Sequence, residues 1–268
     1  MTTHAGHRRK PMLSPSQVVV LSFLALITLG TALLSLPIAH QGEPHRLVDD
    51  MFMAASAVCV TGLATLDPGT RYSGLGQVIL LLLVQIGGLG YMTLFSLSLL
   101  VVGRRLSMRD RMNLQETLDQ PGQAGVLEFV THIVKFTLTI EAIGAVLLAC
   151  QTVPELGWGP GLKMAVFHAV MAFNNAGLSL FSVGAVHWQH APGVLLTLSA
   201  LVIIGGLGYT VNQELLRRFV WRLPGRPRWT PLVRLVVTFT AGLLVIGTVG
   251  IWVFEHDNAR TLGPMGLV

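Results

Sequence analysis

Four stretches of this 268-residue chain, residues 17–39, 74–103, 191–213 and 235–254, each run 20 to 30 residues without Asp, Glu, Lys or Arg. About 20 apolar residues cross the hydrocarbon core of a bilayer. Backbone in that core must satisfy its own hydrogen bonds, which leaves helices or closed barrels. Unbroken apolar runs of this length predict helices. The chain is 52% hydrophobic and 12% charged, against about 25% charged residues in soluble domains. These features predict an all-α polytopic membrane protein. HRRK at residues 7–10 resembles the basic start of a signal peptide, but the apolar run after it is too long and ends in LPIAH without a small-residue cleavage site. Residues 16–39 are therefore expected as a retained first helix. Cys59 and Cys150 form no motif and are expected as free, buried thiols.

The +5 net charge is explained by where the basic residues fall. Thirteen of the 18 lie in three clusters beside apolar runs: Arg8, Arg9 and Lys10; Arg104, Arg105, Arg109 and Arg111; and Arg217, Arg218, Arg222, Arg226, Arg228 and Arg234. The positive-inside rule places all three in the cytoplasm, with Trp158, Trp188 and Trp252 in an outer aromatic belt and Trp221 and Trp229 in an inner one. Topology thus accounts for the charge, and nucleic acid is not expected as a partner. A basic cytoplasmic face remains suited to an acidic protein partner.

The chain also repeats itself. IGGLGY occurs at residues 86–91 and 204–209, and TGLATL (61–66) matches AGLSLF (176–181) around a central glycine. Gly62 and Gly177 are 115 residues apart, Gly87 and Gly205 118 apart. Two landmarks in the same order at nearly the same spacing predict an internal duplication. Each unit reads as an outward helix (16–39, then about 126–151), a half-length apolar segment (46–58, then 161–173), a glycine-centred break, and a returning helix (74–102, then 191–216). A further outward helix is expected at about 232–254. The expected boundaries are a cytoplasmic N-terminus at 1–15, a first unit at 16–111, a second at 112–222, and the start of a third at 223–268. Both units begin and end at basic clusters, so they lie parallel, unlike the inverted repeats of many alternating-access transporters. Parallel units about an axis along the membrane normal suit a channel-like pore.

A half-length segment must enter the membrane and turn back. Non-helical backbone survives at that depth where protein buries it or water and ions satisfy it, and a dehydrated cation suits a row of carbonyls. Glycine accepts the positive φ such a row demands, and the half-helix C-terminus adds partial negative charge. CVTGLATL (59–66) and NNAGLSL (174–180) are therefore read as re-entrant filter segments. Gly87, Gly88, Gly90, Gly205, Gly206 and Gly208 are expected to allow close helix packing; neither GGLG fits a dinucleotide-binding motif. Asn174 and Asn175 suit either a pore wall or a helix cap. His168 is expected as a hydrogen-bonded structural residue. Glu128, His132 and Lys135 share one helical face and suit an interfacial position. Glu141 lies deeper, either functional or paired with a neighbouring helix.

SAVCVTGLATLD, FHAVMAFNNAGLSLFS and IGGLGYMT closely resemble the bacterial branch of the Trk/Ktr/HKT superfamily of potassium transporters. The resemblance covers essentially the whole chain. It implies tandem helix–pore-helix–filter–helix units, four to a polypeptide, about a potassium pathway in the bacterial inner membrane. It carries ion-coordinating backbone onto Val60, Thr61 and Gly62, and onto Asn175, Ala176 and Gly177. K+ is then the transported ion, with no metal site elsewhere, no covalently bound cofactor and no enzymatic activity. Implied partners besides lipid are a second copy in a homodimer, a cytosolic nucleotide-binding regulatory subunit, and the missing C-terminal pore units. Two complete units and one helix of a third stand where the family has four. A fragment, a truncated product and a chain paired with another polypeptide all fit that count. A sodium-conducting relative and a non-conducting assembly subunit are the alternative functions; glycine at position 62 favours potassium, since sodium-selective relatives tend to carry serine there.

Overall fold

The structure is a computed structural model and describes residues 15–42, 46–103, 123–219 and 229–256. Arg8, Arg9 and Lys10, the arginines at 104–111, Trp221, and Arg222, Arg226 and Arg228 lie outside the described residues. The described residues form helices joined by short non-helical segments. In chain order these are α1 (Pro15–Leu34), α2 (Leu47–Val58), α3 (Pro68–Arg71), α4 (Gly74–Gly103), α5 (Gln123–Leu156), α6 (Trp158–Phe173), α7 (Pro192–Leu207), α8 (Tyr209–Phe219) and α9 (Pro231–Glu255). Short 3-10 turns occupy Pro37–Ala39 and Gly184–Trp188.

At 1.5 Å per residue, the 12 residues of α2 reach about 18 Å, short of the roughly 30 Å hydrocarbon core. α2 starts with Asp49 and Asp50 in its first turn, where carboxylates complement the helix dipole. Asp50 is fully buried; it accepts a hydrogen bond from Tyr72 Oη at 3.0 Å and lies 3.0 Å from His40 Nε2. That cluster ties the start of α2 to the loop following α3. α6 starts after Gly157, at φ 84°, and α9 is capped by Thr230, whose hydroxyl accepts from Val233 N–H.

By length and apolarity, residues Glu128–Leu156 and Pro231–Glu255 each suffice to cross a membrane. α7 and α8 together pass the same test but bend by 107° between them. The continuous span expected at 191–216 is thus broken after Leu207. Gly208 adopts φ 77°, and its N–H turns to Gly205 O instead of continuing the helical ladder. Asn212 Nδ2 then donates to Ile204 O (2.7 Å) and Gly208 O (2.9 Å), satisfying carbonyls at the break. In the first copy α4 runs without interruption through the same motif.

Two apolar cores form. One gathers Leu34, Met53, Val58, Leu80 and Val84 around α1, α2 and α4, and takes in Phe167 and Met171 from α6. The other packs α5 against α6 and α7 through Ile133, Leu148, Ala169, Phe173 and Leu201. Large apolar side chains also cover the outside, among them Leu24, Leu29, Leu82, Val146, Leu196 and Ile246. Lipid accommodates such a surface; water does not.

Two corrections follow. Cys59 and Cys150 are free, as expected, but exposed rather than buried. Trp188, expected in an outer belt, is buried at 3% exposure, edge-on to His168 and Phe181. Trp158 and Trp252 are exposed. Trp229 lies beneath the Arg218 guanidinium.

Candidate functional site

The two glycine-centred segments adopt the same backbone. Val60 and Asn175 are the non-glycine residues with positive φ among the described residues, at 56° and 59°. Gly62 and Gly177 follow two positions later at 79° and 69°. The turns entering them match too. Val60 and Asn175 N–H donate to Ala57 O and Ala172 O, three residues back. Thr61 and Ala176 N–H donate to Ser56 O and Met171 O, five residues back. Left-handed backbone at a β-branched valine carries a strain of about 1–3 kcal/mol and persists only where its surroundings impose it. Here it recurs at matching places in both copies.

The segments also meet. A β-carbon on Gly62 would lie 2.6 Å from Ala176 O and 3.1 Å from Gly177 Cα, and one on Gly177 would lie 3.2 Å from Gly62 Cα. Val60, Thr61, Gly62, Asn175, Ala176 and Gly177 are thus brought to one place, at the C-terminal ends of α2 and α6. Further along, Ser182 Oγ donates to Asp67 Oδ2, and Asp67 Oδ1 accepts from Gly69 N–H at 2.8 Å. Asp67 and Ser182 are themselves 115 residues apart, so equivalent positions of the two copies pair. Burial opposes the charge on Asp67, but hydrogen bonds from Ser182, Gly69 and Thr70 outweigh it and hold its carboxyl below 3.8.

The IGGLGY glycines divide by role. A β-carbon on Gly87 would lie 2.8 Å from the Val58 carbonyl carbon, and one on Gly205 2.8 Å from that of Phe173; each would overlap the carbonyl oxygen. Val58 and Phe173 are the last residues of α2 and α6. The returning helix therefore presses bare backbone against the end of the short helix in both copies. Gly88 makes room for the Asn174 side chain. Gly206 only touches Asn175, Gly90 meets nothing within 4 Å, and Gly208 makes the break. For Gly90 and Gly208, close packing gives way to these other situations.

Asn175 reaches further than its backbone. With its amide oriented to satisfy both ends, it donates to Val202 O (3.2 Å) and accepts from Gly206 N–H (3.3 Å). These atoms belong to one rung of the α7 ladder, just before the break. A side chain inserted in such a rung is a recognised cause of helix bending. His168 contacts Met164 O (2.9 Å) and Ser179 Oγ (3.1 Å) through its two ring nitrogens, a buried structural residue behind the second segment. Glu128, His132 and Lys135 are exposed along α5. Glu141, deeper on α5, is 5% exposed and accepts from Asn174 Nδ2 at 2.9 Å. Sequence reasoning did not single out Ser56, Gln85, Ser182 or Asn212. Gln85 and Asn212 had a usable signal, each a polar residue inside an otherwise apolar run.

A family model described as TrkH, cation transport protein, matches residues 2–252. The chain is 37% identical over 257 residues to Ktr system potassium uptake protein B of Bacillus subtilis (strain 168), covering 95% of this chain and 56% of that protein. It is 38% identical over 260 residues to the protein of the same name from Vibrio alginolyticus, covering 97% and 56%. It is 35% identical over 256 residues to potassium/sodium uptake protein NtpJ of Enterococcus hirae, covering 95% and 55%. The chain spans about half the length of the curated relatives it matches.

Proposed function

The chain belongs to the TrkH cation transport protein family, and from that premise we propose that it contributes to a potassium uptake pathway across a bacterial inner membrane. In this reading Val60, Thr61 and Gly62, with Asn175, Ala176 and Gly177, present backbone carbonyls to a dehydrated K+. The observation that carries it is the recurrence of positive φ at Val60 and Gly62 and again at Asn175 and Gly177. Alternating the hand of successive residues turns neighbouring carbonyls toward one side, which an extended strand does not. Carbonyls so arranged replace the hydration shell of a cation. The ends of α2 and α6 add the negative ends of their dipoles at the same place.

The rest of the architecture follows as part of the proposal. Residues 16–111 and 112–222 form two pore units, 223–268 opens a third, and the N-terminus is cytoplasmic. Two of the named relatives are Ktr system proteins by name, and a cytosolic nucleotide-binding regulatory subunit on the basic face, a second copy, and further pore units are the proposed partners. A sodium-conducting function is the second reading, favoured by the likeness to a protein named for both ions.

Gly62→Ser tests the pathway. A side chain at φ 79° adds strain of about 1–3 kcal/mol, and its β-carbon presses on Ala176 O. Rubidium and sodium uptake in a potassium-uptake-deficient bacterium expressing the protein together with the further pore units should shift several-fold toward sodium. An unchanged preference would remove Gly62 from the pathway.

A further inference from the structure

The two segments share a backbone but not its support. In the first copy Thr61 Oγ1 donates to Ser56 Oγ at 3.0 Å, a contact local to the turn. In the second, the residue just before the segment is held from two other helices. Asn174 Nδ2 donates to Glu141 Oε1 on α5 (2.9 Å) and to Val170 O on its own α6 (2.9 Å), and lies 3.5 Å from Gln85 Oε1 on α4. On its other side the Asn174 side chain fits against Gly88 of α4, where a β-carbon would fall 2.8 Å from Asn174 Cγ. Asn174 is αR at φ −78° and Asn175 is left-handed at φ 59°. The clamp therefore sits at the peptide where the chain changes hand.

Helix packing alone does not account for the carboxylate. With the repeat offsets of 115 and 118, the counterparts of Glu141, Asn174 and Gln85 are Leu26, Cys59 and Ile203. Apolar residues serve the equivalent helix positions, and Cys59 is exposed. A carboxylate at membrane depth costs free energy unless a partner holds it, and the partner here is the residue that opens the 175–177 segment. We propose that Glu141 is a positioning residue, acting through Asn174 to fix the backbone of Asn175, Ala176 and Gly177, and so a determinant of cation preference at that segment. The selectivity half rests on the carbonyl pathway proposed above; the positioning half does not.

Hydrogen exchange on the chain in lipid nanodiscs tests the positioning directly. Glu141→Leu should speed exchange of the amides at 174–178 by about tenfold, because the local opening equilibrium sets that rate, while the 58–63 amides change less than about twofold. Glu141→Gln keeps an acceptor for Asn174 and should retain most of the protection. Unchanged exchange at 174–178, or equal loosening of both segments, would overturn the proposal. If Glu141→Leu does not yield folded protein, Asn174→Ala decides by the same pattern. In uptake assays Glu141→Leu should lower the rubidium-over-sodium preference several-fold and Glu141→Gln should not; equal preference in the two variants would overturn the selectivity half. A wild type with no preference for rubidium would sink the pathway reading, and the exchange result would still judge the clamp.

Discussion

Whether a glycine in IGGLGY is required depends on what lies over it, and alanine substitution separates the cases. Gly90 is helical with nothing within 4 Å of a built β-carbon. Gly90→Ala should therefore gain the ordinary helical advantage of about 0.5–1 kcal/mol. Gly205 is equally helical, but its β-carbon would stand 2.8 Å from the Phe173 carbonyl carbon and overlap the oxygen. To reach an ordinary contact, α7 must back away by on the order of 1 Å from a backbone that has no rotamer to change. Overpacking of this kind costs about 1–3 kcal/mol, so the net effect of Gly205→Ala is a loss of about 1–2 kcal/mol once the helical gain is set against it. At about 2–4 °C per kcal/mol for a chain near this size, the melting temperature should fall by about 2–8 °C. Gly87→Ala should behave like Gly205→Ala, since the Val58 carbonyl sits over it at the same 2.8 Å. Thermal unfolding in detergent, followed by size-exclusion fluorescence, measures all three. Gly205→Ala melting at or above wild type, or Gly90→Ala falling as far as Gly205→Ala, would refute the argument.

The bend between α7 and α8 gives a second prediction. Asn212→Leu leaves Ile204 O without its 2.7 Å partner, a loss of about 1–3 kcal/mol; spin labels at 196 and 217 should then move apart toward the roughly 31 Å of a straight helix, and an unchanged distance would clear Asn212 of holding the bend. The third is pH dependence at Asp67, whose folded pKa lies below 3.8. Its contribution to the tie with Ser182 is fully present above an unfolded value of about 3.9 and is lost as pH falls through the lower folded value. Protection of the 180–184 amides should therefore hold from neutrality to about pH 4 and decline only below it; in Asp67→Ala the lower protection should already be seen at pH 7, and acid-insensitive wild type would rule out the tie.

What the sequence made legible was whatever depends on local pattern. The short apolar segments expected at 46–58 and 161–173 became α2 and α6 with ends shifted by at most three residues. The repeat, read from two glycine landmarks, reappears as equal φ signs at Val60 and Asn175; asparagine accepts the left-handed region, whereas valine resists it and gives no hint of it. The failures share a different cause. At the break after Leu207 three features coincide: Gly208 with positive φ, the Asn175 amide at the Gly206 rung and Asn212 at Ile204 O. Gly90, the matching glycine in the first copy, stays helical, and at the matching positions the sequence there has Val60 for Asn175 and Leu94 for Asn212. Trp188 moved inward for the same kind of reason: His168 and Phe181 form a surface for its ring that no periodicity announces. Both copies keep glycine at 62 and 177, where φ is positive, and at 87 and 205, where a carbonyl presses on the helix. The side chains behind that backbone answer only to their own neighbours. Ser56 and Thr61 on one side, and Glu141, Asn174 and Gln85 on the other, reach the same backbone conformation by different contacts. Two copies with matching backbone turns and unequal supports need not respond equally to mutation, and substitutions behind the second segment should act from α4 and α5 as well as from the turn itself.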